Sequence, residues 1–246
     1  MTEKAPQYDK IGSSYEEYAR SSTLKRAERY TLLGLAGSMN GKTMLDLACG
    51  AGYFTRLLRL GGAAYVIGVD ISPEMVRLAK IQEEDAPLGI EYRVHDAISL
   101  PQLGKFDLVT AAYLLNYAAT RGELLAMCRG AYNNLANGGR FLAFTANPDF
   151  DVTVSDFSRY GVRALRGRPD GDRYICRLEF LTDPPRPFQY YQWSRAAYEW
   201  ALHTAGFSTV RWQAIEVSPE DVAAYGEEYW RELRDNCLCI GLDCTK

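Results

Sequence analysis

Short apolar runs alternate with amphipathic segments over residues 43–146, and this alternation limits the folds that the chain can adopt. The β-type runs occupy residues 43–47, 65–70, 90–95, 106–112 and 139–146. A helical pattern at 121–136 begins at the capping pair Thr120 and Glu123. Alternating strands and helices favour a parallel sheet that is covered on both faces. We therefore predict an α/β fold.

The alternation of apolar runs and amphipathic segments stops after residue 146. Residues 147–193 show no clean periodicity and carry five of the ten prolines, with nine aromatic residues over 150–193. Regular patterns resume with a helix at 194–203, a strand near 207–217, a helix that starts at Ser218 and a final apolar run at 237–243. We interpret residues 1–246 as a single domain, with an N-terminal helical lid over 1–40 and an insertion over 147–193 that covers the substrate.

Composition narrows the possible partners. The 28 basic and 31 acidic residues give a net charge of −3. This charge provides no positive electrostatic potential that would attract a phosphate backbone, so we expect no nucleic-acid partner. The sequence contains no apolar run of membrane-spanning length and no signal-peptide pattern near Met1. We expect a cytoplasmic protein without a membrane partner, and the sequence leaves monomer and homodimer open.

The six cysteines are expected to be buried thiols. They form no Cys-x-x-Cys pair, and Cys237 and Cys239 alternate within an apolar run, as residues on one strand face do. The chain has only two histidines, His95 and His203, and neither shows the spacing of a metal ligand set. We expect no metal site.

A glycine-rich turn follows the first predicted strand. The turn reads Asp46-x-Ala48-x-Gly50-x-Gly52, and Asp70 ends the next strand, 20 residues beyond Gly50. Such a turn lets a ligand approach the backbone, and a carboxylate at that distance can hold a ribose diol. A nicotinamide dehydrogenase would need a third glycine near position 55, where this chain has Thr55. A dehydrogenase function is therefore disfavoured.

Four motifs in order resemble the class I S-adenosylmethionine-dependent methyltransferases. They lie at Leu45–Gly52, Gly68–Met75, His95–Ala97 and Phe106–Val109, within residues 40–150. The resemblance implies a Rossmann-like fold with a seven-stranded, mostly parallel sheet, helices on both faces and the insertion after the fifth strand. It also implies S-adenosylmethionine as cofactor and S-adenosylhomocysteine as its product.

The resemblance assigns cofactor contacts residue by residue. Asp70 is expected to hold the ribose hydroxyls, Ile71 and Met75 to enclose the adenine, and Asp96 to accept from its amino group. Plain core packing remains an alternative for Ile71 and Met75, and a turn role for Asp96. The tyrosines Tyr8 and Tyr15 resemble lid residues, with ordinary helix packing an equal alternative for Tyr15. The implied cofactor-binding set is Tyr8, Asp46, Ala48, Gly50, Asp70, Ile71, Met75, Asp96, Ala97 and Ala112.

A narrower resemblance extends over most of the chain, to the bacterial N-methyltransferases of toxoflavin biosynthesis. It is carried by short strings at 8–12, 115–118, 149–150, 182–185, 193–195 and 236–238. It implies an azapteridine acceptor whose ring nitrogens are methylated in turn. Transfer would then depend on orientation and exclusion of water, with no obvious general base.

The acceptor is expected beyond the fourth strand, because ligands of open α/β sheets lie outside the carboxyl ends of the strands. The candidate substrate-binding residues are Tyr113, Asn116, Tyr117, Tyr191 and Trp193. Tyr113 and Asn116 are also the candidate catalytic residues. The insertion aromatics Phe157, Tyr160, Phe188 and Tyr190 are expected to join Tyr191 and Trp193 in a roof, although core packing is an alternative for each.

Two other functions stay open: an O-methyltransferase using His95 or Asp149 as base, and a non-catalytic cofactor-binding module.

Overall fold

The computed structural model describes residues 17–19 and 21–246. Its helices are α1 (Thr23–Ala36), α2 (Tyr53–Leu60), α3 (Pro73–Asp85), α4 (Arg121–Asn134), α5 (Arg195–Ala205), α6 (Pro219–Tyr225) and α7 (Glu227–Asp235). Its strands are β1 (Thr43–Leu47), β2 (Tyr65–Asp70), β3 (Glu91–Val94), β4 (Phe106–Ala112), β5 (Leu135–Ala146), β6 (Val162–Asp170), β7 (Arg173–Phe180), β8 (Arg186–Trp193), β9 (Thr209–Gln213) and β10 (Cys239–Thr245). No helix of the described chain is long and apolar enough to cross a membrane.

The main sheet has seven strands in the order β3-β2-β1-β4-β5-β10-β9. The strands from β3 to β5 pair in parallel, whereas β10 runs antiparallel to both of its neighbours. Strands β1, β2 and β4 occupy the predicted residues, because their near-continuous burial produces an unbroken apolar run. The predicted α/β fold with a mostly parallel sheet is confirmed.

Several helices begin where the sequence provides a side-chain cap. The hydroxyl of Ser72 accepts a hydrogen bond from the backbone N–H of Met75, and Pro73 occupies the first turn of α3. Thr120 caps α4 in the same way, and its partner Glu123 accepts from the backbone of Ala119. These caps fix where the chain leaves the sheet and turns back over it.

The insertion forms a small antiparallel sheet in the order β6-β7-β8, where the sequence showed no clean periodicity. Its prolines explain part of this difference, because Pro169 and Pro187 lie on the two edge strands, where a missing N–H is tolerated. Gly171, at a φ of 66°, allows the tight connection between β6 and β7. Residues 162–193 of the insertion therefore form mainly regular structure, whereas residues 147–161 are a loop with one short 3-10 turn.

All six cysteines are buried and unpaired by disulfides, as expected. Cys239 and Cys244 lie in β10, and Cys237 precedes it with its Sγ 3.8 Å from that of Cys239. Burial raises the pKa of the Cys128 thiol to about 12. Thiols of this kind pack as small apolar side chains.

The carboxylate of Asp46 joins three elements beneath the glycine-rich turn. It accepts hydrogen bonds from the hydroxyls of Thr55 in α2, at 2.6 Å, and of Thr110 in β4, at 2.7 Å. Burial raises its pKa to about 6, although the two threonine hydrogen bonds lower it. The folded state therefore holds this proton more tightly than the unfolded state, and stability is lost as pH rises from about 4 to about 6.

We expect the variant Asp46→Asn to lack this loss. Its free energy of unfolding relative to the natural chain should rise by about 3 kcal/mol between pH 4 and pH 7, because the asparagine amide does not ionise. Urea unfolding at a series of pH values measures the difference. The exposed Asp235→Asn variant serves as control, and parallel stability curves for Asp46→Asn and the natural chain would contradict the prediction.

Candidate functional site

A cavity of about 1120 Å³ lies at the carboxyl edge of the main sheet. It extends from the ends of β2 and β3, across the turn after β1, to the end of β4, and the strands β7 and β8 of the insertion cover it. Small-molecule sites usually measure about 300–1,000 Å³. The cavity therefore has room for more than one small molecule. We call its two parts the loop end, around Gly50, Asp70 and Asp96, and the ring end, around Tyr113 and Phe188.

The turn after β1 exposes backbone to the loop end. Ala48 and Gly50 line the cavity and adopt left-handed conformations, with φ of 54° and 56°. Gly52 follows at a φ of 92°, and a Cβ there would lie 2.5 Å from the hydroxyl oxygen of Tyr92. Glycine is thus required at this position by both conformation and space.

Asp70 ties this turn to the start of α3. Its Oδ2 accepts from the backbone N–H of Gly50 at 2.8 Å, and its Oδ1 accepts from that of Ser72 at 2.8 Å. Asp70 is buried as a residue and lines the cavity. Each carboxylate oxygen can accept a further hydrogen bond, so the group suits a ligand with adjacent hydroxyls.

Other expected cofactor contacts border the same end. Ile71 lines the cavity and is half exposed, whereas Met75 lines it from a buried position. Asp96 and Ala97 also line it, and the Oδ1 of Asp96 accepts from the backbone N–H of Ile98 at 2.9 Å. The structure thus brings these residues together with Asp70. His95, the other alternative base for an oxygen acceptor, lines this end as well.

Two of the expected site residues lie elsewhere. Asp46 does not line the cavity, because its two oxygens accept from Thr55 and Thr110 below the turn. Trp193 does not line it either, because its indole is buried against α5 and donates to the carbonyl of Ala118 at 3.0 Å. Both expectations of direct ligand contact are corrected. Tyr8 and Tyr15 lie outside the described residues.

The ring end contains the other expected substrate residues. Tyr113, Asn116, Tyr117 and Tyr191 line it, together with Ala112 of the expected cofactor-binding set. Tyr113 adopts a φ of 67°, which is unusual for a bulky residue. The Oδ1 of Asn116 is buried, and no described residue offers it a hydrogen-bond partner. A buried oxygen of this kind in a cavity wall is suited to a donor on a ligand.

Aromatic rings of the insertion cover the ring end. Phe180 and Phe188 stack at 4.2 Å between centroids with an interplanar angle of 17°, and Tyr18 lies 4.6 Å from Phe180. The Tyr190 hydroxyl is buried there without a hydrogen-bond partner among the described residues. Of the expected roof aromatics, Phe157 and Tyr160 instead pack near Trp230 in the core. The roof is thus narrower than predicted.

Two charged residues of α1 at this end were missed by the sequence reasoning. Lys25 lines the cavity, and its Nζ lies 2.8 Å from Oε2 of the buried Glu28. The signal was present, because Leu24, Glu28 and Leu32 are spaced by four residues and share one helix face. A carboxylate on an otherwise apolar stripe indicates a buried polar group with a partner.

Asp149, the alternative base for an oxygen acceptor, lies away from the cavity. It is not among the lining residues, and its carboxylate pairs with Arg195 at 2.7 Å on the surface. An exposed paired carboxylate at this place has no access to an acceptor inside the cavity. The structure therefore gives no support to Asp149 as a base.

Residues 44–139 match the family model described as a methyltransferase domain. The demethylmenaquinone methyltransferase of Lactococcus lactis is 31% identical over 162 residues, which cover 62% of this chain and 60% of that protein. The ubiquinone biosynthesis O-methyltransferase of Bordetella parapertussis is 27% identical over 146 residues, covering 57% and 58%. The chain spans about three fifths of the length of these curated relatives.

Solved structures share the fold over nearly the whole chain. An S-adenosylmethionine-dependent methyltransferase from Mesorhizobium loti superposes with a TM-score of 0.65 at 22% identity, covering 89% of this chain and 98% of that one. The CcbJ methyltransferase from Streptomyces caelestis gives a TM-score of 0.68 at 19% identity, covering 97% and 96%. These likenesses, the sheet order and the cavity at the carboxyl edge show that the chain has the fold of the class I S-adenosylmethionine-dependent methyltransferases, and its residues 44–139 match a methyltransferase domain.

Proposed function

We propose that this protein transfers a methyl group from S-adenosylmethionine to a small, planar acceptor. The observation that carries the proposal is the single continuous cavity, whose loop end offers backbone and carboxylates and whose ring end offers aromatic faces. A cavity with two chemically different ends suits a polar cofactor beside a flat second ligand. Sharing one cavity would bring the two reacting atoms together without intervening water.

The loop end fits the cofactor through its own residues. Two backbone N–H groups hold the Asp70 carboxylate at the cavity. Because each of its oxygens can accept a further hydrogen bond, Asp70 is suited to accept from the ribose hydroxyls. Ile71 and Met75 offer apolar contact to the adenine, and Asp96 an acceptor for its amino group. S-adenosylmethionine supplies a methyl group on a cationic sulfur, so the protein mainly needs to orient the acceptor.

The ring end favours a flat acceptor. Phe188 and Tyr191 line it with apolar ring surface, and Asn116 adds a buried amide oxygen that suits an N–H or O–H donor. Stacking on an aromatic side chain contributes about 1–3 kcal/mol for each ring of a nucleic-acid base. A heterocycle with ring N–H groups satisfies both features. We therefore infer N-methylation of an azapteridine-like ring, as in the toxoflavin resemblance.

O-methylation of a phenolic or quinol-like acceptor is the second candidate. It is favoured by the names of the relatives, several of which are ubiquinone biosynthesis O-methyltransferases. The same ring end would stack such an acceptor, and the Asn116 oxygen would accept from its hydroxyl. The two candidates differ in the acceptor atom and not in the cofactor or the cavity.

Removal of the Asp70 carboxylate is expected to weaken cofactor binding. In Asp70→Ala the ribose hydroxyls lose a charged acceptor, at roughly 1.5–3 kcal/mol for each hydrogen bond. We expect the Kd for S-adenosylhomocysteine in calorimetry to rise at least about 30-fold, or about 2 kcal/mol. The exposed Asp85→Ala on α3 is the control. An unchanged Kd in a folded Asp70→Ala variant would contradict the assignment.

Two aromatic residues on one face of β8 are expected to behave differently. Tyr191 lines the cavity, so Tyr191→Ala should raise the KM for the acceptor while cofactor affinity stays near the natural value. Trp193 is buried in the core, so Trp193→Ala should instead lower the free energy of unfolding by about 3–5 kcal/mol. Steady-state kinetics and urea unfolding measure both. The assignment fails if Tyr191→Ala leaves the KM unchanged.

A methyl-transfer screen with mass spectrometry tests the activity itself. Lumazine and pyrimidotriazine diones represent N–H heterocycles, and catechol and a quinol represent O–H acceptors. We expect S-adenosylhomocysteine, but not NAD, to raise the Tm, and a mass increase of one methyl group on a heterocycle. Transfer only to catechol or quinol would select O-methylation. Stabilisation without transfer to any acceptor would instead favour a non-catalytic binding module.

A further inference from the structure

A buried polar cluster joins helix α1 to the ring end of the cavity. Tyr113 donates a hydrogen bond from its hydroxyl to Oε1 of Glu28, whose Oε2 accepts from Lys25 Nζ at 2.8 Å. The Lys25 ammonium also lies 4.9 Å from the centre of the Tyr113 ring and 5.3 Å from that of Phe54. Tyr113 and Lys25 line the cavity, whereas Glu28 lies behind them.

This cluster is not an arrangement that would be expected to stabilise the fold. The side chains of Lys25 and Glu28 are 2% and 0% exposed, and desolvation of a buried ion pair offsets much of its attraction. Tyr113 also has a left-handed backbone conformation, which is strained in a residue other than glycine. Strained backbone and buried charge in a cavity wall together suggest a role toward the ligand.

We propose that Tyr113 and Glu28 form a proton relay for the acceptor, with Lys25 as the positioning residue that holds the Glu28 carboxylate in place through their ion pair. The inference rests on the proposed methyl transfer. The acceptor loses its N–H or O–H proton to the Tyr113 oxygen, as the Tyr113 proton passes to Glu28 Oε1 along the existing hydrogen bond. The acceptor electron pair forms the bond to the methyl carbon, and the pair of the broken carbon–sulfur bond goes to sulfur.

The relay keeps the charge of the closed site constant. Methyl transfer removes one positive charge from sulfur, and proton uptake by Glu28 removes one negative charge from the carboxylate. The sum over sulfur, Glu28 and Lys25 is therefore the same before and after the reaction. Charge balance matters here because electrostatic energies are large in a site that excludes water. After the product leaves, the proton returns from Glu28 through Tyr113 to water that enters the cavity.

The groups around Tyr113 fit a relay in which the phenol passes a proton without becoming a stable phenolate. It is faced by Lys25 and Glu28 from α1, by Cys239 from β10 and by Tyr18. Burial, and then the neighbouring Cys239 and Glu28, raise the pKa of Tyr113 well above its usual value. The Cys239 thiol is itself held protonated, since burial and the adjacent Cys237 raise its pKa. Glu28 is then the proton acceptor next in line.

The relay is tested by the pH dependence of single-turnover methyl transfer. Tyr113→Phe and Glu28→Gln are compared with the natural protein on lumazine, or on catechol if the screen selects oxygen. At pH 7 each variant should transfer about 100-fold more slowly, the scale of general base catalysis. The rate of each variant should rise about tenfold per pH unit up to the pKa of the acceptor, while the natural rate stays nearly flat. The double variant should be no slower than the slower single variant.

Controls separate a relay from a structural role. Tyr160→Phe removes another buried hydroxyl, which donates to the carbonyl of Tyr229 away from the cavity, and should keep the natural rate and pH profile. The Kd for S-adenosylhomocysteine should stay within about threefold of natural in all variants. If Glu28→Gln fails to fold, Tyr113→Phe carries the test, because it removes one oxygen. Losses that are equal at every pH, or additive in the double variant, would overturn the relay but not the transferase. A natural protein without transfer to any acceptor would overturn both.

Discussion

The carboxylate of Asp70 is the contact on which the site depends. Parallel strands end at one edge of the sheet, so the loops after β1 and β2 meet there with unpaired backbone donors. Asp70 accepts from one donor in each loop, Gly50 and Ser72, at 2.8 Å. The left-handed turn after β1 and the start of α3 are thereby fixed to each other. The cavity at this edge has a defined wall because one side chain joins both loops.

The sequence predicts the main sheet well, for a physical reason. Strands such as β2 are covered on both faces, so nearly all of their residues are apolar and the sequence shows a continuous apolar run. The insertion is harder to read, because its strands alternate between solvent and a cavity and carry edge prolines. Its patterns therefore lack the regularity that marks a core strand. Nine aromatic residues indicated a cover, but not the antiparallel sheet that builds it.

Site residues were predictable where backbone position alone brings them to the edge of the sheet. Asp70, Asp96 and Asn116 follow strand ends and do line the cavity. Tyr191 and Trp193 show the limit, because both rings contact Arg173 from one face of β8 and only Tyr191 reaches the cavity. The alternation of side chains along a strand predicts which face of the sheet a residue lies on. Whether that residue reaches the cavity or the core depends on which elements pack against that face. Lys25 and Glu28 were missed because helix α1 meets the site only through tertiary packing.

The walls of the cavity come from two separate sheets, and this has a consequence for how such a chain can diverge. The loops of the main sheet carry Gly50 and Asp70, whereas β7 and β8 carry Phe180, Phe188 and Tyr191. No strand pairing links the two sheets among the described residues. Replacements along β7 and β8 can therefore reshape one wall without disturbing the strand register that supports the other. Under the proposed function, a lineage of such chains can change its acceptor through substitutions in β7 and β8 while the residues of the loop end are inherited unchanged.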